Sequence, residues 1–239
     1  GGCSTSTAAT PDMSGTKREV DEREILNAIF YQIHNGCIWS DLPKDLPTWQ
    51  TVYNDFRRWQ RQGIWQQIHD ELRRKVRVSV GQQPNASAGS IDSQSVKTRE
   101  KRGRSYGFDG GKKIKGRKRH IVVASQGLLI GVLVTEASAS ERLGAVVGPD
   151  EAKEKRSKLQ VIWVEQGDSG KNFANAVQQV CGEQVRVEVM ERTANTFEQL
   201  PKRWIVERTF GWLNRFRRLS KDYEVYSEVS KGSMSPLRE

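Results

Sequence analysis

Residues Gly89–Ala137 read GSIDSQSVKTREKRGRSYGFDGGKKIKGRKRHIVVASQGLLIGVLVTEA. A lone carboxylate, Asp92, sits in a short strand-like run from Ser90 to Val96. A dense basic segment follows at once, and then two apolar strand-like runs. Between Lys97 and Arg119 stand eleven Lys or Arg against two acids, Glu100 and Asp109, so this segment holds +9 of the chain's formal +10. An acid on a strand beside a cationic loop suits a site that brings a metal ion to a polyanion.

Working outward, 239 residues leave room for one ordinary domain and a smaller one. A hydrophobic content of 36% with seven Trp and seven Phe builds a core, which excludes a disordered chain. A pI near 9.6 with clustered Lys and Arg points to nucleic acid or an anionic surface. No apolar run approaches the roughly 20 residues of a membrane span. The N-terminus lacks the apolar core of a signal peptide, so the cytoplasm is the expected compartment. Cys3, Cys37 and Cys181 are odd in number and far apart, and form neither a zinc spacing nor a disulfide framework. His34 and Cys37 share a helix face, but two ligands do not make a zinc site.

Residues 1–18 are small and polar and are expected to be disordered. Asp21 and Glu24 suggest a capping box, followed by Ile25, Leu26, Ile29, Phe30 and Ile33 at helical spacing and Gly36 as a stop. Val52, Tyr53, Phe56 and Trp59 repeat the pattern; Gly63 breaks it, and Ile64, Trp65, Ile68 and Leu72 resume it. Residues 19–80 therefore read as a small all-helical domain. It is compatible with a helix-turn-helix DNA-binding unit carrying Arg57, Arg58, Arg61, Arg73 and Arg74, and equally with a plain bundle. Residues 81–89 read as a polar linker.

Beyond it the pattern is α/β. Arg119–Ser125 and Leu128–Thr135 read as strands joined by a Gln126-Gly127 turn. Ser140–Ser157 reads as a helix, Leu159–Val164 as a strand ending at Glu165, Gly170–Cys181 as a helix and Val185–Met190 as a strand. A helix is expected from Pro201 to about Lys221, burying Ile205, Thr209, Trp212, Phe216 and Leu219, with Arg203, Glu207, Asn214 and Arg218 opposite. That helix carries seven Lys or Arg and one acid. The catalytic-type domain spans 90–226, and residues 227–239 are expected to be an irregular tail.

Asp92, Glu165 and Glu207 fall at element ends in cationic surroundings. Three carboxylates around one sheet could hold two divalent cations, since Mg²⁺ prefers hard oxygen ligands. Two such ions, about 3.5–4 Å apart, can activate a water or a 3′-hydroxyl and stabilise the leaving oxygen of a phosphodiester. By spacing alone, Glu207 is equally a surface partner of Arg203 at i−4.

The runs IDSQSVK, GGKKIKGRKRHIVV and LPKRWIVERTFGWLNRFRRLSKDYE resemble bacterial insertion-sequence transposases of the aspartate–aspartate–glutamate (DDE) class, specifically the insertion-sequence-five group. The stretch from Arg23 to Trp65 resembles that family's helical leader, so the resemblance runs from about Glu19 to Glu224. It implies a ribonuclease-H-like catalytic core, a mixed sheet flanked by helices on which the three acids converge. It implies Mg²⁺ or Mn²⁺, two ions, as cofactor, with Asp92, Glu165 and Glu207 as ligands. It implies hydrolysis at the transposon end followed by attack of the freed 3′-hydroxyl on target DNA, carried out by a homodimer that pairs two ends. Arg203 would stabilise phosphate or position Glu207. The DNA backbone would be held by Lys97, Lys112, Lys113, Lys115, Arg117, Lys118, Arg119, His120, Arg208, Arg215 and Arg218. The chain departs from the family in carrying Glu165 where Asp is usual, with Asp168 one loop turn on. It also departs in ending as SEVSKGSMSPLRE instead of continuing into an apolar closing helix. A DNA-binding remnant without chemistry is the alternative reading.

Overall fold

The computed structural model describes residues 20–99, 105–139, 158–165, 174–175, 177–178, 184–190 and 201–234. Positions 165 and 201–203 are described as backbone alone. The expected helix at Ser140–Ser157, Asp168 and most of Gly170–Cys181 lie outside these residues.

Three helices open the fold: α1 (Glu22–Asn35), α2 (Trp49–Arg61) and α3 (Ile64–Ser79). Asp21 caps α1 by accepting the Arg23 N–H, while the Glu24 N–H turns to the Asp21 carbonyl, so the cap forms without the reciprocal box. The apolar stripes of α1 and α2 are buried as their spacing requires. On α3 the face is rotated. Trp65, His69, Arg73 and Arg77 are buried, whereas Ile68 and Leu72 are exposed.

A six-stranded sheet follows, formed by β1 (Ala88–Lys97), β2 (Gly107–Asp109), β3 (Ile114–Ala124), β4 (Leu129–Glu136), β5 (Val161–Glu165) and β6 (Arg186–Met190). β1 pairs antiparallel with β3 and parallel with β5, β5 pairs parallel with β6, and β3 carries β4 and the short β2 along its outer edge. With helices against it, this is the mixed, ribonuclease-H-like α/β arrangement that the family resemblance implied. Gly127 makes the β3–β4 turn at φ +83°, a conformation that glycine adopts without strain.

Two helices close the described chain, α4 (Pro201–Arg215) and α5 (Ser227–Met234), with a 3-10 turn at Arg217–Leu219 between them. The tail expected to be irregular is therefore helical over its first eight residues, and Val229, Ser230, Gly232, Ser233 and Met234 are buried. Serines are poor apolar ballast, but here their hydroxyls have partners: Ser230 donates to Asp222 and Ser233 to the Val229 carbonyl.

Each face of the sheet has its own apolar cluster. α1, α2, Trp65, α4 and α5 pack with Ile121, Val123, Val132 and Val134 on one face; Ile91, Ala124, Ile130, Ile162, Val164, Val177 and Val185 fill the other. The helical leader therefore shares a core with the sheet. Residues 81–89, expected to be a spacer, are tied to both units. Arg77 donates to the Gln83 and Asn85 carbonyls, and Gln160 N–H donates to the Ser87 carbonyl.

Candidate active site

Asp92 lies in the middle of β1, opposite Ile121 of β3. Side chains alternate along a strand, and Ile121 belongs to the helix-covered cluster, so Asp92 opens on the face over which α4 lies. Its carboxylate accepts the Ser93 N–H at 2.6 Å. The parallel pairing of β1 with β5 runs Ala88 with Val161, Gly89 with Ile162 and Ser90 with Trp163. The ladder ends there; Asp92 lies two residues beyond Ser90 and position 165 two beyond Trp163, on neighbouring strands and on one face. On the next strand Glu188 pairs with Trp163 and accepts its indole N–H at 2.9 Å.

α4 runs in the direction of β1. Thr209 donates to the Gly127 carbonyl at the β3–β4 turn, and Asn214 shares a cavity with Gln94–Lys97. Further along, Asp222 N–H donates to the Lys97 carbonyl. Glu207 is exposed, about 10 Å back along the helix from Asn214. The buried stripe of α4 is Val206, Thr209, Phe210 and Leu213, one residue round from the expected Ile205 and Trp212. Among the described residues no three His, Cys, Asp or Glu side chains group to hold a metal. The donor chemistry of the acid positions is hard carboxylate oxygen throughout, which fits a Mg²⁺-type ion.

The basic residues divide sharply. Lys97, Lys112, Lys113, Lys115 and Arg215 are exposed. Arg117, Lys118, Arg119, His120 and Arg218 are buried, so their expected role on the DNA backbone gives way to internal bonding. Arg117 meets Asp222 at 3.0 Å and donates to the Ser105, Glu224 and Val225 carbonyls. Arg119 donates to the Leu219 carbonyl at 2.6 Å; burial pulls its pKa down, and Asp222 pushes it back up. Lys118 reaches the Ala139 carbonyl at 3.0 Å, and Arg218 pairs with Glu224 at 2.7 Å. Burial, with Lys118 and Lys112 nearby, lowers His120 to about 4, so it is neutral where it meets Thr135. Arg208 is half-committed, donating to the Gln126 carbonyl and stacking on Trp212. In the leader, Arg73 pairs with Asp70 and donates to the Leu129 carbonyl, and Arg58 pairs with Asp55.

These bonds explain why the cationic run expected to be loop becomes strand from Ile114 onward. β3 begins at Ile114, five residues before the expected strand, because the buried cations find carbonyls and Asp222 from the 217–225 segment. Three features went unread in the sequence. Asp222 is the anion at the centre of that network, 105 residues from Arg117. Gln94 and Asn214 line a cavity of about 260 Å³ with Lys97 and Lys221. Tyr106 and Phe108 are exposed on the β2–β3 hairpin; their signal was a pair of aromatics among lysines and glycines.

Comparison with known proteins identifies the family. A family model for transposases of the IS4/5 family matches residues 5–69, and the transposase DDE domain matches residues 83–231. No characterised protein matches the chain. Among solved structures, that of a pre-cleavage Mos1 transpososome aligns over 97% of this chain and 83% of its own at 11% identity. Its TM-score of 0.21 is too low to transfer geometry. The DDE-domain match, in contrast, takes in more than half of the chain, and by it the protein belongs to the DDE transposases, enzymes of DNA cleavage and strand transfer.

Proposed function

We propose that Asp92, Glu165 and Glu207 are the acids of this transposase, that they hold two divalent cations, Mg²⁺ or Mn²⁺, and that the substrate is duplex DNA bearing terminal inverted repeats. The β1–β5 register supports this reading: continued two residues past Ser90 and Trp163, it would set positions 92 and 165 side by side on the face that α4 covers. When bound, the ions supply an activated water or 3′-hydroxyl and neutralise charge on the leaving oxygen.

The protein's own residues set where that happens. The Ser93 N–H fixes the Asp92 carboxylate on its strand, and Arg203, one turn before Glu207, steadies that carboxylate or meets the scissile phosphate. Glu165 reaches one methylene further than the usual Asp, and a misplacement of about 1 Å can cost about 10²-fold in rate. Lys97, Lys112, Lys113, Lys115 and Arg215 hold phosphates around this face, with Arg208 at its edge, so affinity falls with salt. A homodimer pairs the two transposon ends, and the enzyme works in the bacterial cytoplasm on nucleoid DNA. Among the described residues no helix is long and apolar enough to cross a membrane.

The test is Mg²⁺- or Mn²⁺-dependent cleavage of duplex carrying the element's own ends. Asp92→Ala and Glu207→Ala should each lower cleavage by at least about 10²-fold while DNA binding persists. Glu165→Asp should hold or raise the rate. Cleavage that survives Asp92→Ala would remove the triad from consideration.

A further inference from the structure

The β2–β3 hairpin carries an unusual pair of side chains for a solvent-facing ribbon. Phe108 is 57% exposed and Tyr106 is 48% exposed. Phe108 pairs across the ladder with Lys115, and the Lys115 ammonium lies 5.3 Å over the Tyr106 ring. Lys112 and Lys113 are exposed in the turn, where Lys113 takes a left-handed φ of +53°.

The hairpin is held in place from below. Asp109 accepts the Ser95 hydroxyl at 2.5 Å and the Lys112 N–H at 3.0 Å, which ties the turn to β1. Burial raises the Asp109 pKa, but those bonds and the Lys118 and Lys112 charges outweigh it and keep the carboxylate ionised. Gly116 lets β3 pass close to β1 here, since a Cβ would collide with the Val96 carbonyl. The aromatic rings therefore sit on a supported edge, and leaving them in water forfeits burial that a partner could recover.

Strand alternation gives the direction. Lys115, Arg117, Arg119 and Ile121 share one face of β3, and Ile121 stands opposite Asp92. Phe108, paired with Lys115, opens on that same face. Six residues separate Lys115 from Ile121, roughly 20 Å of strand. That is the rise of about six base pairs.

Resting on the DNA-transposase reading above, we propose that Tyr106 and Phe108 form a stacking site for unpaired nucleobases, placed about six base pairs from the acids. Aromatic rings stack on any base, and the three lysines hold the flanking phosphates. The charge selects this occupant. A second copy of the hairpin would bring its own lysines against these, whereas an opened DNA strand offers both the rings and the anions. A strand-transfer enzyme that distorts its DNA gains from holding the displaced bases, because unpairing and unstacking them costs free energy.

The experiment uses the full chain and two duplexes of equal length, one fully paired and one with a short bulge containing 2-aminopurine. The wild type should bind the bulged duplex about tenfold more tightly and quench the 2-aminopurine. Phe108→Ala and Tyr106→Ala should remove that preference and the quenching, with affinity for paired duplex and its salt dependence unchanged. Phe108→Trp should restore both, and Phe108→Leu should not. Equal wild-type affinity for the two duplexes overturns the stacking site, as does a Phe108→Ala loss that is the same on both. Failure of the wild type to bind either duplex overturns the DNA reading beneath it.

Discussion

Lys112–Lys115 and Arg117–His120 are neighbouring parts of one cationic run, and the fold treats them in opposite ways. The three lysines of the first part stand in water, whereas every side chain of the second is buried. What separates them is the supply of acceptors. Residues 217–225 form a 3-10 turn and an irregular connection whose carbonyls have few partners of their own, and buried carbonyls must be satisfied. Arg117 and Arg119 lie beneath that segment and offer up to five N–H donors each, so they stitch it to the sheet. The hairpin has no such cover, and its lysines remain available to phosphate. Charge density in a sequence marks where cations are, and packing decides which of them can face a polyanion.

The hardest test of that division is Arg117→Ala. Asp222 is fully buried against Arg117, so removing the guanidinium leaves an uncompensated carboxylate and at least three carbonyls without donors. Breaking such a pair costs about 3–5 kcal/mol. Denaturant unfolding should show a drop of that size in unfolding free energy, and a loss under about 1 kcal/mol would mean water can reach the site. Replacing both partners with apolar residues should be milder than Arg117→Ala alone, because no buried carboxylate is then left without its guanidinium.

His120 gives a smaller effect with a definite pH window. Its folded pKa of about 4 lies below the ordinary 6.5, because burial and the Lys118 and Lys112 charges oppose protonation. The unfolded chain therefore binds the proton more readily, so the stabilisation is complete above about pH 6.5 and is lost as pH falls toward 4. The span corresponds to roughly 3 kcal/mol. Unfolding free energies measured across that window should flatten in His120→Gln, and an unchanged slope would show that other groups carry the acid sensitivity.

Much of the fold was legible from periodicity alone. The first two helices of the leader and the strand ending at Glu165 stand close to where their patterns place them, because in each the apolar residues and the buried residues largely coincide. Periodicity failed where polar groups do the burying. On α3 the inward positions are His69, Arg73 and Arg77, which an apolar count reads as surface. On β3 the buried cations hid the first half of the strand, since Asp222 is too distant in sequence to be linked with Arg117. The α4 stripe was missed by one residue, about 100° of rotation. As for the site, Asp92 and Glu207 were named through motif resemblance, and strand parity puts Asp92 and position 165 on one face of the sheet. No local pattern reports how a helix registers against a strand, so the course of α4 beside β1 had to come from the fold.

The exposed lysines supply the smallest stability effect and the clearest contrast. The Lys112 ammonium donates to the Ser93 carbonyl at 3.3 Å, and the Lys115 ammonium lies over the Tyr106 ring, both on exposed side chains. Lys112→Ala and Lys115→Ala should each change unfolding free energy by less than about 0.5 kcal/mol. Each should also lower the slope of log affinity against log salt by about 1 on duplex DNA, whatever its sequence. Lys118→Ala should do the reverse, weakening the fold while leaving the salt slope alone, because its ammonium is spent on the Ala139 carbonyl and Asp109. A salt slope that falls equally for Lys118 and Lys115 would mean that the buried half of the run reaches DNA after all, through an opening of the 136–139 turn. The two halves would then be one binding surface, divided only in the absence of DNA.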